Sequence, residues 1–181
     1  MTAEDAGTAT GKIMNLYGLN LPGVQKLADA VNILGNNTNA VERDILNVIT
    51  RTGGMAKIFG LTAEQASALG TAFLSLGRTP ETASMAISAM LSKLQTAPAA
   101  GKEFREALDG IGIDAKQLAA EIEANPQAAL VKFLETLKTL EKQDLSQTLV
   151  KLFGLEYQDD IAILVTGLDQ YKEAIGLVAD E

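Results

Sequence analysis

Histidine, cysteine and tryptophan are all missing from this sequence. Without histidine the chain lacks the side chain that titrates nearest neutrality, and without cysteine it lacks the thiolate nucleophile and soft metal ligand. Disulfide staples are excluded as well, so stability has to come from apolar burial. A chain of 181 residues can bury roughly 70% of its unfolded surface. Lack of cysteine fits a reducing or redox-indifferent location and does not separate cytoplasm, virion and exterior. Aromatic residues are scarce at 4%, and charged residues reach 21% against 47% apolar. Few charges are left to cover a surface, which predicts that some apolar surface meets a partner. Cations are the shortest supply, 15 Lys and Arg against 23 Asp and Glu, for a net charge of −8. Wrapping a phosphate backbone needs clustered cations that displace counterions, so direct nucleic-acid binding is not expected. The longest purely apolar stretch, Ile161 to Val165, falls far short of the roughly 20 residues that cross a bilayer. No membrane span is expected in this segment. Glu4 and Asp5 stand where a secretory signal would carry cations, so no export signal is expected either.

What the chain does have is helix punctuation. An aliphatic residue, an aromatic, glycine and leucine recur as Leu16-Tyr17-Gly18-Leu19, Ile58-Phe59-Gly60-Leu61 and Leu152-Phe153-Gly154-Leu155. Glycine takes the left-handed conformation after a helix without a Cβ penalty, and the following leucine folds back on the last turn. Each phrase therefore predicts a corner between packed helices, with Gly18, Gly60 and Gly154 as helix stops, and Gly77 as a further stop before Thr79-Pro80. Helix starts are as legible. Asn39, Thr62, Asp114 and Asp144 each stand three residues before Glu42, Gln65, Gln117 and Gln147, the spacing of a capping box. Thr79-Pro80 and Asn125-Pro126 add a cap followed by proline at the first helical position, and Asn20-Leu21-Pro22 is a looser version.

Apolar stripes at helical spacing connect these signals, for example Val24, Leu27, Ala28, Val31 and Leu34, or Leu130, Phe133, Leu134, Leu137 and Leu140. No stretch sustains strand-like alternation. The expected fold class is all-α: a compact globule of about ten short helices without significant β-sheet. Helices are predicted over 3–17, 22–34, 39–52, 62–76, 80–95, 102–109, 114–124, 126–142, 144–153, 156–166 and 168–179. A single domain 1–181 is expected, divisible into lobes 1–94 and 102–181 by a proline-containing uncharged hinge, 95–101. From Thr82 through Ser92 there is no charge on any face. A helix without a polar face is normally surrounded, which predicts this one as central, with Ala83, Ile87, Met90 and Leu94 buried.

Chemical motifs are weak. Gly110-Ile111-Gly112-Ile113-Asp114-Ala115 matches the dinucleotide fingerprint formally, but a predicted helix precedes it where the fingerprint requires a strand. A helix-to-helix turn is the expectation. Asp159-Asp160, and Glu121 with Glu123, do not face one another across a cleft as paired catalytic carboxylates must, and read as solvated faces. Asn37 and Asn39 lack the glycine and bidentate glutamate of a calcium loop. Met14, Met55, Met85, Met90 and the phenylalanines are core by default, with an adaptable groove as the alternative. No catalytic, cofactor-binding or metal-binding residue is assigned, and no enzymatic activity is expected.

The order of these phrases resembles the conserved core region of phage tail tape-measure proteins. The resemblance is carried by Gly60-Leu61-Thr62-Ala63-Glu64-Gln65-Ala66-Ser67-Ala68-Leu69, then Leu76-Gly77-Arg78-Thr79-Pro80-Glu81-Thr82-Ala83 and Met90-Leu91-Ser92-Lys93-Leu94. Leu108 to Asp114 and Leu152 to Glu156 resemble the downstream helix-loop and closing phrase. The resemblance implies a structural assembly domain of a longer protein that templates tail-tube length and is packed in the tail lumen for release at infection, after assembly in host cytoplasm. Tail-tube protein, tail assembly chaperones and baseplate or tail-tip proteins are the partners it implies, with homo-oligomers, first of all a trimer. The alternatives are a cytosolic helical adaptor that binds an amphipathic partner and, behind it, a peptidoglycan-hydrolase segment.

Overall fold

The computed structural model describes residues 2–179. Among them the chain forms eleven α-helices and one 3-10 turn, and no strand. The helices are α1 (Ala3–Tyr17), α2 (Leu21–Asn37), α3 (Glu42–Phe59), α4 (Ala63–Ser75), α5 (Pro80–Gln95), α6 (Lys102–Gly110), α7 (Ala115–Ala124), α8 (Pro126–Lys138), α9 (Lys142–Phe153), α10 (Gln158–Thr166) and α11 (Leu168–Val178). The 3-10 turn, Ala97–Ala99, lies inside the expected hinge.

The capping logic holds where a side chain closes the first turn. Thr62 accepts from the Gln65 N–H while the Gln65 side chain accepts from the Thr62 N–H. Asn20, Thr79, Asp114 and Asn125 each accept from the amide three residues on. Two of the starts expected from a capping box move. α3 begins at Glu42 behind Val41, without a side-chain cap, because the Thr38 hydroxyl accepts from the Ala40 N–H and the chain stays extended while Ala40 is buried. α9 begins at Lys142 rather than 144, which places Asp144 in its first turn, a favourable site for an anion on the helix dipole. α8 correspondingly ends at Lys138, short of the expected 142.

The expected stop of the third helix at 52 is wrong, since α3 continues through Gly53 and Gly54 to Phe59. Gly53 serves close approach instead: a Cβ there would stand 2.9 Å from Leu16 Cδ1 of α1. The stop glycines also divide. Gly18, Gly60 and Gly77 have φ of 65°, 103° and 89°, and each is followed by an amide that reaches back to the carbonyl five residues earlier: Leu19 to Met14, Leu61 to Ala56, Arg78 to Phe73. That is the Schellman closure. Gly154, at φ 83° and ψ 166°, makes a different exit in a region open essentially to glycine alone. The third phrase is still a helix stop and a corner between packed helices, α9 and α10, but its leucine does not fold back: Leu61 is 3% exposed, whereas Leu155 is 78% exposed. The chain leaves α9 outward, and α10 starts only at Gln158.

α4 is the surrounded helix. Nine of its residues are buried, from Ala63 to Phe73, and it lies among α2, α3, α5 and α11. This corrects the expectation that α5 would be enclosed on all sides. α5 buries Ala83, Ile87, Met90 and Leu94 against α3 and α4 on one side and α7, α9 and α10 on another. Its remaining side is open, and Met85 is 54% exposed. Packing crosses the 95–101 segment repeatedly, because α11 returns to α4 and α2. Among the described residues, no helix is long and apolar enough to cross a membrane.

Candidate interaction surface

Two places on this framework concentrate polar or open surface. The first is the corner between α4 and α5. Leu76, the last residue before the Gly77 stop, presses on Gly167, where an added Cβ would lie 2.5 Å from Leu76 Cδ2. Two residues on, Arg78 Nε lies 2.8 Å from Asp160 Oδ1 of α10. Both side chains are largely covered, so Asp160 is not the solvated carboxylate that the Asp159-Asp160 pair was expected to be; Asp159 remains at the surface. Burial pushes the Asp160 carboxyl above its ordinary pKa, Arg78 opposes that shift, and repulsion from Asp159 adds to it. The proton is thus favoured by the fold, and the stability owed to this group is present at low pH and lost as pH rises through its folded pKa.

Removing Arg78 alone then leaves a covered carboxylate without its cation. Arg78→Ala is expected to cost about 1–2 kcal/mol at neutral pH. The loss should shrink on acidification, as the carboxyl protonates, and in the Arg78→Ala/Asp160→Asn double variant. Urea unfolding of both variants at pH near 7 and near 4 checks this; an equal loss in the double variant would show that the guanidinium acts through packing alone.

The second place is a shallow groove of about 950 Å³ on the open side of α5. Met85, Ser88, Ala89 and Ser92 form its floor, with Met55 of α3 and Tyr157 along its walls. At the N-terminal end of α5, Arg51 Nη2 of α3 lies 3.1 Å from Glu81 Oε1, both side chains half exposed. Of the methionines considered for an adaptable surface, Met55 and Met85 reach this groove, whereas Met90 is fully buried. Phe59, Phe73, Phe104, Phe133 and Phe153 all lie in the core.

Other motifs resolve into structure. Gly112, at φ 78°, closes α6 with the Ile113 amide reaching back to Leu108 O, so the glycine-rich phrase is a helix-to-helix turn. Glu121 belongs to an ion pair, 2.7 Å from Lys132 Nζ, which together with the Gln117 side chain lowers its pKa. Among the described residues no three carboxylates converge as metal ligands. The open face of α5 was missed at the sequence level because an uncharged circumference does not say which side the neighbours leave bare.

The sequence matches the family model described as phage-related minor tail protein over residues 1–154. A relative named probable tape measure protein, from Halomonas phage phiHAP-1 (isolate -/Gulf of Mexico/-/2001), is 32% identical over 182 residues, covering 99% of this chain and 21% of that protein. The chain thus spans about a fifth of that relative's length. No solved structure matches.

Proposed function

The chain belongs to the phage-related minor tail protein family, and from that premise we propose that it is the globular core of a tape-measure protein, an assembly domain rather than the ruler. The observation that carries this reading is the alignment of nearly the whole chain with about a fifth of a protein named probable tape measure protein. A ruler gains 1.5 Å per residue only where helix runs on uninterrupted. Among the described residues no helix exceeds the 18 residues of α3, and the helices fold back on one another around α4. Length templating is on this reading the task of the parent protein's extended parts. The core serves packing, initiation or anchoring in the tail, among tail-tube protein, tail assembly chaperones and baseplate or tail-tip proteins. No catalytic role is assigned to it.

The test is complementation of a tape-deficient prophage with the parent gene lacking this segment, scoring tail yield and length by electron microscopy. Loss of tails is expected. Tails formed in normal number but shortened in proportion to the deleted residues would make the segment part of the ruler, and unchanged tails would remove it from assembly.

A further inference from the structure

We infer that α1 is a latch on this fold: it undocks from α3 and melts as one unit, turning at the Gly18–Asn20 corner, while the remaining helices stay folded. Ile13 is the one buried residue among the 15 of α1, and Gly7, Thr8, Lys12 and Asn15 are exposed. The helix packs chiefly on α3, with Leu16 and Tyr17 closing over the buried Gly53. Among the described residues no ion pair and no hydrogen bond ties α1 to another helix. Its polar bonds are its own: Thr2 and Asp5 cap each other, the Thr10 hydroxyl donates to Ala6 O, and the Leu19 amide donates to Met14 O. Docking even carries a penalty, because the Tyr17 hydroxyl is buried without a hydrogen-bond partner, and water satisfies it once α1 leaves.

Nor does the helix stand well alone. Gly7 and Gly11 lie in its interior, each about fourfold to fivefold less favourable there than alanine. A helix of 15 residues is marginal in water even with a better composition, so undocking entails melting. The opening stops at the corner, since Gly18 in the left-handed region already ends α1 and Asn20 caps α2 independently by accepting from the Gly23 N–H. α2 itself is anchored by Leu27, Ala30, Val31 and Leu34. The last helix supplies the contrast: α11 has 11 residues but buries Leu168, Tyr171, Ala174 and Val178 against α2, α4, α8 and α10. Local opening follows buried apolar contact rather than place in the chain, so α1 opens and α11 does not. The surface uncovered is the strip of α3 around Gly53, where the seat of α1 is backbone rather than side chain.

Native-state hydrogen exchange of the full chain, read residue by residue by NMR, is expected to give the hydrogen-bonded amides of α1 one common opening equilibrium. Amides beside Ile13 share it, and it is roughly a hundredfold or more above that of α4 and α11. Ile13→Ala should raise the opening of α1 roughly 30-fold or more. Gly53→Leu, a wedge under Leu16 that leaves α3 helical, should raise it roughly tenfold. Gly7→Ala together with Gly11→Ala, where an added Cβ meets nothing within 4 Å, should lower it roughly tenfold or more. The decisive variant lies elsewhere: Ile161→Val, at a fully buried site on α10, should raise exchange of α4 about two- to tenfold and leave α1 unchanged, because the latched and unlatched states both contain that site. An equal rise in α1 would mean that it opens only with the whole chain, and would overturn the latch. So would protection that climbs from Ala6 until the last turn of α1 opens only with α4, which is end fraying, or an α1 without protection. Indifference to Ile13→Ala would overturn it as well. Should Gly53→Leu fail to fold by circular dichroism, the isoleucine and glycine variants decide.

Discussion

Gly60→Val is expected to destabilise the chain by about 2–6 kcal/mol, combining backbone strain with local overpacking. The glycine sits at φ 103° and ψ 11°, where a β-branched residue is strained whatever the space around it. Space is also lacking: a Cβ at this position would lie 2.7 Å from Pro126 Cγ, at the start of α8. The turn that closes α3 is thus pressed against an element more than sixty residues later in the chain, so the substitution loosens a long-range contact together with a local cap. Gly77, at φ 89°, is close to Gly60 in backbone conformation and has nothing within 4 Å of an added Cβ, and Gly77→Val should cost only the strain component, about 1–3 kcal/mol. Thermal or urea unfolding of the two variants side by side separates the components. Equal losses would show that Pro126 gives way without cost.

Phe73→Ala should destabilise the chain by about 3–5 kcal/mol, the range for emptying a fully packed aromatic site. Phe73 is completely buried on α4, among helices from both the beginning and the end of the chain. A cavity there has few ways to collapse, because the neighbours are held by their own contacts. Met85→Ala on α5 provides the contrast. Its side chain is 54% exposed, so in the monomer the loss should stay below about 1 kcal/mol. Denaturation at a concentration where the chain is monomeric measures both. Comparable losses would return α5 to the central position that its uncharged sequence predicts and contradict the placement of α4. If the total stability is within the ordinary 5–15 kcal/mol, Phe73→Ala alone removes a large part of it.

The contrast between α4 and α5 marks the boundary between local and tertiary information. Helical class, the capped starts at Thr62, Thr79, Asp114 and Asn125, and the left-handed stop after Phe59 are local matters. Each depends on residues within a turn or two of one another, and the sequence by itself determined them. Burial is not local. Gln65 to Gly77 is as free of charge as Thr82 to Ser92, and composition cannot rank the two. α4 is enclosed because α2, α3 and α11 all converge on it, whereas α5 has neighbours on only part of its circumference. The same reason separates Leu61 from Leu155, identical in phrase and opposite in exposure, and Asp160 from Asp159, adjacent in chain but different in surroundings. The helix end expected at residue 52 fails for the same reason, since Gly53 lies inside α3 as a point of contact with Leu16. The open groove on α5 belongs wholly to the tertiary structure, since it is defined by where neighbouring helices end.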